Sequence, residues 1–174
     1  MKSKHFPRFN IKKLQNKAAA RACAQIMATS EPWITLKGTY SDALKIVVNP
    51  LREVYVAVSK GEVIGFIILQ MEGTFTGYIQ TVAVRADWRG QGLGSRLIAF
   101  AEKRIFAEKP NVFMCVSSFN KKAQRLYRRL GYAKIGALKN FIVPGHDEIL
   151  LRKSIGPLAG FKERKTRTRA IRKQ

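Results

Sequence analysis

The chain has 174 residues, 46% of them apolar, and this length fits a single domain because domains of about 100 to 200 residues are typical. No apolar run approaches the roughly 18 residues of a membrane span, so the sequence excludes a transmembrane protein and predicts a soluble one. The two cysteines, Cys23 and Cys115, form neither a CxxC pair nor a metal-ligand spacing. We therefore expect no metal site and a reducing, cytoplasmic location.

The formal net charge of +22 is concentrated at the two ends of the chain. Residues 1–30 contain seven Lys/Arg and no acid, and residues 161–174 contain seven Lys/Arg with Glu163 as their only acid. The second segment lacks apolar periodicity, so we predict one domain over residues 1–160 and a disordered basic tail over residues 161–174. Such a tail favours contact with nucleic acid or the ribosome, and solubilising charge is the alternative.

In chain order, the sequence first predicts a short strand near residues 9–14 and a helix over the alanine-rich run LQNKAAARACAQIM. The domain needs this helix, which argues against interpreting the basic N-terminus as a transit peptide. The segment SEPW, residues 30–33, is a predicted loop. A second helix is expected to begin at Ser41, whose side chain is the candidate cap.

Two strands follow over residues 52–59 and 62–70, separated by the turn residues Lys60 and Gly61. Both strands are apolar on both faces, so we expect the sheet to be covered on both sides. A further strand over residues 77–84 leads into the glycine-rich segment RGQGLGSR.

The residues after those glycines have the 3.6-residue period of a helix. Its apolar stripe consists of Leu93, Leu97, Ile98, Ala101 and Ile105. A strand over residues 111–116 comes next. This strand, helix, strand unit predicts parallel neighbouring strands joined by a right-handed crossover.

A last helix is predicted over NKKAQRLYRRLG, with Gly131 ending it. Its apolar face consists of Ala123, Leu126, Tyr127 and Leu130. The segments YAKIGALKNFIV and DEILLRKS close the domain as an antiparallel pair. The chain has no internal repeat, and the pattern predicts an α/β architecture with a mixed sheet.

Three alternating glycines, Gly90, Gly92 and Gly94, stand at the start of the central helix. Glycines there let backbone N–H groups point at an anion, which the helix dipole also favours, and Arg89 adds a positive charge. We predict a pyrophosphate-bearing ligand, with a ligand-free turn as the alternative. The chain contains no GxxxxGK[ST] string, and a GxGxxG pattern beginning at Gly90 fails at Ser95, so a P-loop and a dinucleotide fingerprint are excluded.

Two motifs then stand in order along the chain. The first motif is Arg or Gln followed by xxGxG or xxGxA. Arg89, Gly92 and Gly94 match it, directly after a strand that ends in VAV. The pattern NxxAxxLYxxLGY is matched by Asn120, Ala123, Leu126, Tyr127, Leu130, Gly131 and Tyr132. Over residues 8–155 the chain resembles the GNAT superfamily of acetyl-CoA-dependent N-acetyltransferases. The resemblance implies a GNAT fold, with a mixed, largely antiparallel sheet splayed between its fourth and fifth strands and flanked by about four helices.

The resemblance implies that acetyl-CoA is the cofactor and that its pantetheine arm lies in the splayed gap, against Val82, Ala83 and Val84. The implied pyrophosphate site consists of Arg89, Gly90, Gln91, Gly92, Leu93, Gly94 and Ser95. Asn120 resembles the family's asparagine that hydrogen-bonds the cofactor. Its other interpretation is a helix cap, and the two roles are compatible.

The resemblance also implies direct transfer to an amine, with a backbone N–H near Val84 stabilising the oxyanion. Tyr127 resembles the family's general acid and is also expected to contact the cofactor, and a buried aromatic is the alternative. Cys115 occupies the position of a catalytic glutamate in bacterial ribosomal-protein alanine N-acetyltransferases, and we interpret it as a buried small residue rather than an acyl carrier. Two candidate bases remain. Tyr78 resembles a tyrosine base of some N-terminal amine acetyltransferases, with an ordinary strand aromatic as the alternative. His146 is the next candidate.

Two short segments that resemble the same alanine acetyltransferases are expected to contact the acceptor. Pro32 and Trp33 resemble a Pro-Trp pair, and Asn140 with Phe141 resembles an asparagine-aromatic pair, with ordinary packing as the alternative. A weak base suits an α-amine of pKa about 8 better than a lysine near 10.4, because more of the α-amine is neutral at pH 7.

We therefore expect a peptide N-terminus as the acceptor. A small amine such as a polyamine, an amino sugar or an amino acid is the alternative, and a GNAT-like binding module that uses its basic tails on nucleic acid or the ribosome is a further one. The expected assembly is a monomer or homodimer without a membrane partner.

Overall fold

The structure of the chain is a computed structural model that describes residues 8–162. Most of the predicted basic tail lies outside these residues, so its disorder and its partners stay predictions. The elements in chain order are β1 (Asn10–Lys13), α1 (Lys17–Ala28), α2 (Tyr40–Val47), β2 (Glu53–Ser59), β3 (Glu62–Gln70), β4 (Tyr78–Val84), α3 (Leu93–Phe106), β5 (Asn111–Ser117), α4 (Lys121–Arg129), β6 (Ala133–Leu138) and β7 (Glu148–Ser154). None of these described helices has the length and apolarity to cross a membrane.

The strands form one sheet in the order β1-β2-β3-β4-β5-β7-β6. β4 and β5 are parallel, and the other neighbouring strands are antiparallel. The predicted parallel pair around α3 and the predicted antiparallel pair of β6 with β7 are therefore confirmed. β7 lies between β5 and β6, so the last strand of the domain is inserted beside β5.

Helices cover both faces of the sheet, as the apolar strands predicted. Ile67 and Leu69 of β3 pack with residues of α3 on one face. Phe66 and Ile68 pack with residues of α1 and α2 on the other. All four side chains are fully buried, and each such burial contributes about 1.5–3 kcal/mol. This central strand fixes the position of β4, its neighbour.

The start of α2 differs from the sequence-based prediction. The helix begins at Tyr40, and its cap is Thr39, whose Oγ1 accepts a hydrogen bond from the Asp42 N–H at 3.1 Å. Thr39 has the extended backbone of a cap residue, with φ −93° and ψ 164°. The prediction that Ser41 caps this helix is wrong, because Ser41 lies within the first turn.

β4 and β5 pair only at the first two residues of β4. Tyr78 lies opposite Phe113 and Ile79 opposite Met114, whereas β4 stays paired with β3 as far as Val84. The two parallel strands separate beyond Ile79, which confirms the predicted splay. A cleft opens along the second half of β4.

Candidate active site

The edge of β4 beyond Ile79 faces this cleft rather than a bonded strand. The Arg85 N–H donates to the Ile64 carbonyl of β3 at 2.9 Å. Because the peptide groups of successive residues in a strand point to opposite sides, the N–H and C=O groups of Val82 and Val84 point into the cleft. An extended ligand can pair with this edge as an additional strand would.

Two cavities lie along the cleft and meet. The turn cavity, of about 170 Å³, lies between the end of β4 and the start of α3. The inner cavity, of about 230 Å³, lies between β4, β5 and the loops that follow α1 and β6. The residues that line both are Glu31, Trp33, Val82 and Tyr127. A larger cavity, of about 550 Å³, is formed mainly by α1, β1 and β2, away from both motifs.

The start of α3 has the features of an anion site. Its cap is Gly92, which has a φ of 81° and no side chain to accept hydrogen bonds from the first turn. A residue with a Cβ is strained at such a φ. The N–H groups of Leu93, Gly94 and Ser95 are thus available to an outside acceptor at the positive end of the helix dipole.

Arg89 joins the end of β4 to the loop after α1. Its Nε donates to the Val84 carbonyl at 3.0 Å, and its Nη2 donates to the Ser30 Oγ at 2.7 Å. The guanidinium forms part of the wall of the turn cavity. Nearby, the Gln91 Nε2 donates to the Asp87 carbonyl at 2.9 Å, which holds the glycine turn together.

Asn120 caps α4, because its Oδ1 accepts a hydrogen bond from the Ala123 N–H at 3.1 Å. This confirms the helix-cap interpretation. Asn120 also lines the inner cavity, and its contact with a cofactor stays a prediction.

Tyr127 lies on the buried face of α4, where the two cavities meet. Burial raises the pKa of its phenol to about 12. Its ring packs edge-on against Tyr132, with 6.2 Å between the ring centroids. The hydroxyl group is therefore protonated at neutral pH and suited to donate a hydrogen bond.

Tyr78 and Cys115 line the inner cavity from adjacent strands. Burial raises the pKa of both groups. Cys115 is half-buried rather than buried as predicted. Its thiol is not a thiolate at neutral pH, which argues against an acyl carrier. The phenol of Tyr78 is likewise protonated and is a weak base unless another group takes its proton.

The residues predicted to contact the acceptor come together around the inner cavity. Pro32, Trp33 and Phe141 all line it. The loop that carries Phe141 is held by Asn140, whose Oδ1 accepts from the Gly145 N–H at 2.7 Å. The remaining candidate base, His146, packs on Phe119 instead, with 4.8 Å between the ring centroids, and it is not in the cavity wall.

The model of the acetyltransferase (GNAT) family matches residues 14–132, which include both motifs. The chain belongs to the GNAT acetyltransferase family. The resemblance inferred from the two motifs is therefore confirmed, together with the GNAT fold.

Similar proteins are N-acetyltransferases. An uncharacterised N-acetyltransferase of Methanocaldococcus jannaschii is 34% identical over 101 residues, which cover 57% of this chain and 64% of the relative. N-alpha-acetyltransferase MAK3 of Arabidopsis thaliana is 31% identical over 102 residues, which cover 56% of this chain and 54% of the relative. The chain thus spans less than two thirds of either relative. The ribosomal-protein-S18-alanine N-acetyltransferase of Escherichia coli has the same fold, with a TM-score of 0.69 at 19% identity over 86% of this chain and 96% of that one.

GNAT enzymes use acetyl-CoA, which supplies an activated thioester. This chain fits that cofactor at two places. The open edge at Val82 and Val84 suits the amides of the pantetheine arm, and the uncapped helix start after Gly92 suits the pyrophosphate. Tyr127, between the cavities, lies within the same cleft.

Sequence analysis missed one group in the wall of the inner cavity, the carboxyl group of Glu148. Glu148 is the first residue of β7 and is buried, and it accepts a hydrogen bond from the Ser117 Oγ. The sequence contained one indication of this group. Glu148 directly precedes the apolar run ILL, and acids are scarce in this chain, with 11 acids against 33 basic residues. Its position depends on the pairing of β7 with β5, which the sequence pattern did not predict.

Proposed function

We propose that this GNAT enzyme transfers the acetyl group of acetyl-CoA directly to a primary amine, and that the preferred acceptor is the α-amine of a peptide or protein N-terminus. The observation that supports this is the meeting of the two cavities at Tyr127 and Val82. A cofactor along the β4 edge and an amine in the inner cavity would approach each other there without a covalent enzyme intermediate.

The residues of the turn cavity and the open strand edge would hold the cofactor. Val82, Ala83 and Val84 would bind the pantetheine arm, and the pyrophosphate would lie at the turn formed by Arg89, Gly90, Gln91, Gly92, Leu93, Gly94 and Ser95. Asn120 would add a side-chain hydrogen bond. Arg89 would contribute to cofactor binding through its positive charge and through the hydrogen bond that its Nε donates to the Val84 carbonyl.

Two donors would stabilise the charges that develop during transfer. The Val84 N–H points into the cleft, where it donates to the carbonyl oxygen as that oxygen becomes negative. The Tyr127 hydroxyl donates to the departing sulfur. Because a phenol of pKa about 12 is a much weaker acid than a thiol near 8.5, full proton transfer requires a sulfur that is also desolvated.

The walls of the inner cavity support a peptide N-terminus as the acceptor. A volume of about 230 Å³ is enough for one small residue and its amine, with Trp33 and Phe141 at the side and Pro32 next to them. Phe141 is 63% exposed, as expected for a residue that a longer peptide would cover. The similarity to a protein named as an N-alpha-acetyltransferase supports the same acceptor.

The test is thiol release from acetyl-CoA with matched acceptors. One peptide has a free α-amine, a second has a blocked α-amine and a free lysine, and a third set consists of polyamines, amino sugars and amino acids. We expect release with the free α-amine. Release with the small amines alone would replace this proposal by metabolite acetylation.

A matched pair of aromatic variants tests the acceptor site. Trp33→Ala is expected to raise KM for the α-amine peptide about tenfold or more, since burial of a large aromatic on binding contributes about 1.5–3 kcal/mol. KM is measured at saturating acetyl-CoA, because Trp33 also lines the turn cavity. Phe75→Ala is the control, because Phe75 is 44% exposed and packs on Phe113 outside both cavities. Equal KM values in both variants would contradict the assignment of Trp33.

We propose nucleic-acid contact as a second role, because α4 has an entirely basic outer face. Its exposed residues are Lys121, Lys122, Arg125, Arg128 and Arg129. No acid lies within this helix, and two of the lysines stand in its first turn, where the dipole disfavours cations. The like charges at i,i+3 and i,i+4 spacings repel one another, and a polyanion would relieve that repulsion. The basic tail would add to this surface.

A further inference from the structure

Glu148 provides a buried carboxyl group in the inner cavity. The residue is 5% exposed and lies opposite Ser117 of β5. Cys115, two residues earlier on β5, and Tyr78 of β4 line the same cavity. Among the described residues one further carboxylate lines it, that of Glu31, which is exposed in the loop after α1. Glu148 is therefore the buried acid of this cavity.

One oxygen of Glu148 is bonded within the protein and the other is not. The Ser117 Oγ donates to the Glu148 Oε1 at 2.5 Å. Over residues 8–162, the ion pairs involve other acids. The Oε2 atom has no protein donor there and is not one of the fully enclosed polar atoms that lack a partner. It is therefore accessible to a molecule in the cavity.

The groups that face Glu148 carry no positive charge. They are Tyr78 from β4, Cys115 and Ser117 from β5, Tyr127 from α4 and Glu31 from the loop after α1. Burial chiefly, and the charge of Glu148 in addition, raise the pKa of Tyr78 and of Cys115. Burial also raises the pKa of Glu148, against the opposing effect of the Ser117 hydrogen bond. An ammonium group entering this space would be the missing partner of the carboxylate.

We propose that Glu148 is the general base of this enzyme, and that its Oε2 binds the ammonium group of the acceptor and takes one of its protons. The inference rests on the proposed transfer to an amine. It places the base on β7, opposite Ser117 of β5 and two residues along β5 from the thiol of Cys115.

The step is balanced without a further reactant. The ammonium group loses one N–H bond, and that proton moves to Glu148 Oε2. The freed lone pair of the nitrogen forms the new bond to the acetyl carbon, while the carbon–sulfur bond breaks and its electron pair stays on the sulfur. The sulfur takes the proton of the Tyr127 hydroxyl, and the second proton that the nitrogen loses on becoming an amide restores that hydroxyl. Glu148 then returns its proton to solvent through the inner cavity.

Glu148→Gln tests the proposal, because glutamine keeps the size and the Ser117 contact and removes the charge. At pH 7 we expect kcat/KM for the α-amine peptide to fall about 10²- to 10³-fold, the usual effect of losing a general base. The loss is expected to shrink as the pH approaches the pKa of the free amine. The control is Glu72→Gln, whose side chain is 81% exposed. If the kcat/KM of Glu148→Gln stayed within about threefold of the wild-type value from pH 6 to 9, the proposal would be overturned.

Ser117→Ala leaves the carboxylate in place and removes its donor. A hydrogen bond that stabilises the charged form lowers a pKa, so its loss raises the pKa of Glu148. Because the base must be deprotonated to act, we expect the acid limb of kcat/KM to move to higher pH, by about one unit. If the acid limb of kcat/KM did not move, it would belong to the titration of another group, and the proposal would be overturned.

Stability provides a measurement that is independent of turnover. The folded-state pKa of Glu148 lies above its unfolded value, so its contribution to stability is fully present below the unfolded pKa of about 4.3 and is lost as the pH rises from there through the folded-state pKa. We therefore expect Glu148→Gln to have a Tm at pH 8 that equals or exceeds that of wild type. A lower Tm with undiminished turnover would indicate a structural role alone and overturn the proposal.

Calorimetry separates this inference from the function on which it rests. With the protein saturated with CoA, the α-amine peptide is compared with its N-acetylated form. Wild type is expected to prefer the cationic peptide at least about tenfold, and Glu148→Gln to lose that preference. Absence of turnover with every amine would refute the acetyl transfer, while the peptide preference would still support or overturn ammonium binding by Glu148.

Discussion

The closed end of the cleft depends on Gly77, which precedes β4 and accepts a hydrogen bond from the Phe113 N–H through its carbonyl, at 3.1 Å. A Cβ at this position would lie 2.5 Å from the Asn111 carbonyl oxygen and 2.6 Å from the Ile105 Cγ2, and its φ is +80°. Gly77→Ala should cost about 1–2 kcal/mol for the left-handed backbone and about 1–3 kcal/mol for overpacking. The expected loss of about 2–5 kcal/mol corresponds to a Tm lower by about 4–20 °C.

Gly61→Ala is the matched control, because Gly61 has a φ of +83° and a Cβ added there would have no atom within 4 Å. It should lose only the backbone contribution, about 1–2 kcal/mol. Urea unfolding gives the free energies, and titration with acetyl-CoA gives the Kd. We expect weaker acetyl-CoA binding for Gly77→Ala alone, since the displaced Asn111 would move β5 away from β4. Equal destabilisation by the two substitutions would refute the close-contact argument.

Three further predictions concern the helices. Tyr127→Phe should lower kcat about 10²- to 10³-fold with an unchanged Kd for acetyl-CoA, because it removes one positioned donor; stopped-flow thiol release measures this, and an unchanged kcat would contradict it. Thr39→Ala should lower the free energy of unfolding by about 0.5–2 kcal/mol, whereas Ser41→Ala should have little effect, as chemical denaturation can show. Arg125→Glu combined with Arg129→Glu should reduce the slope of log K against log[salt] for binding of single-stranded RNA by about 1.4, for two lost phosphate contacts; an unchanged slope would place the contact elsewhere.

Local pattern predicted the elements because their causes are local. The stripe of α3, from Leu93 to Ile105, is buried as its 3.6-residue period indicated. The cap of α2 shows the limit of such patterns. Thr39 and Ser41 both carry hydroxyls, and the choice between them depends on which residue has extended backbone, which composition does not determine.

The sequence predicted the site residues that belong to a motif. It did not predict the residue whose position depends on the pairing of strands far apart in the chain. Asn120 caps the helix that carries Tyr127, and both residues line the inner cavity. Glu148 enters that cavity because β7 is inserted beside β5, opposite a serine 31 residues earlier. An isolated acid at the start of a strand is normally solvated, so local pattern gave no reason to place it inside.

The link between Arg89 and Ser30 has a consequence for the order in which ligands bind. One guanidinium holds both the strand edge expected to receive the cofactor and the loop that continues to Trp33. A ligand that strengthens or loosens this link from either side alters the free energy of the other site. Thermodynamic reciprocity then requires the cofactor to change acceptor affinity by the same factor as the acceptor changes cofactor affinity. Ser30→Ala removes this hydrogen bond and is expected to bring that factor closer to one.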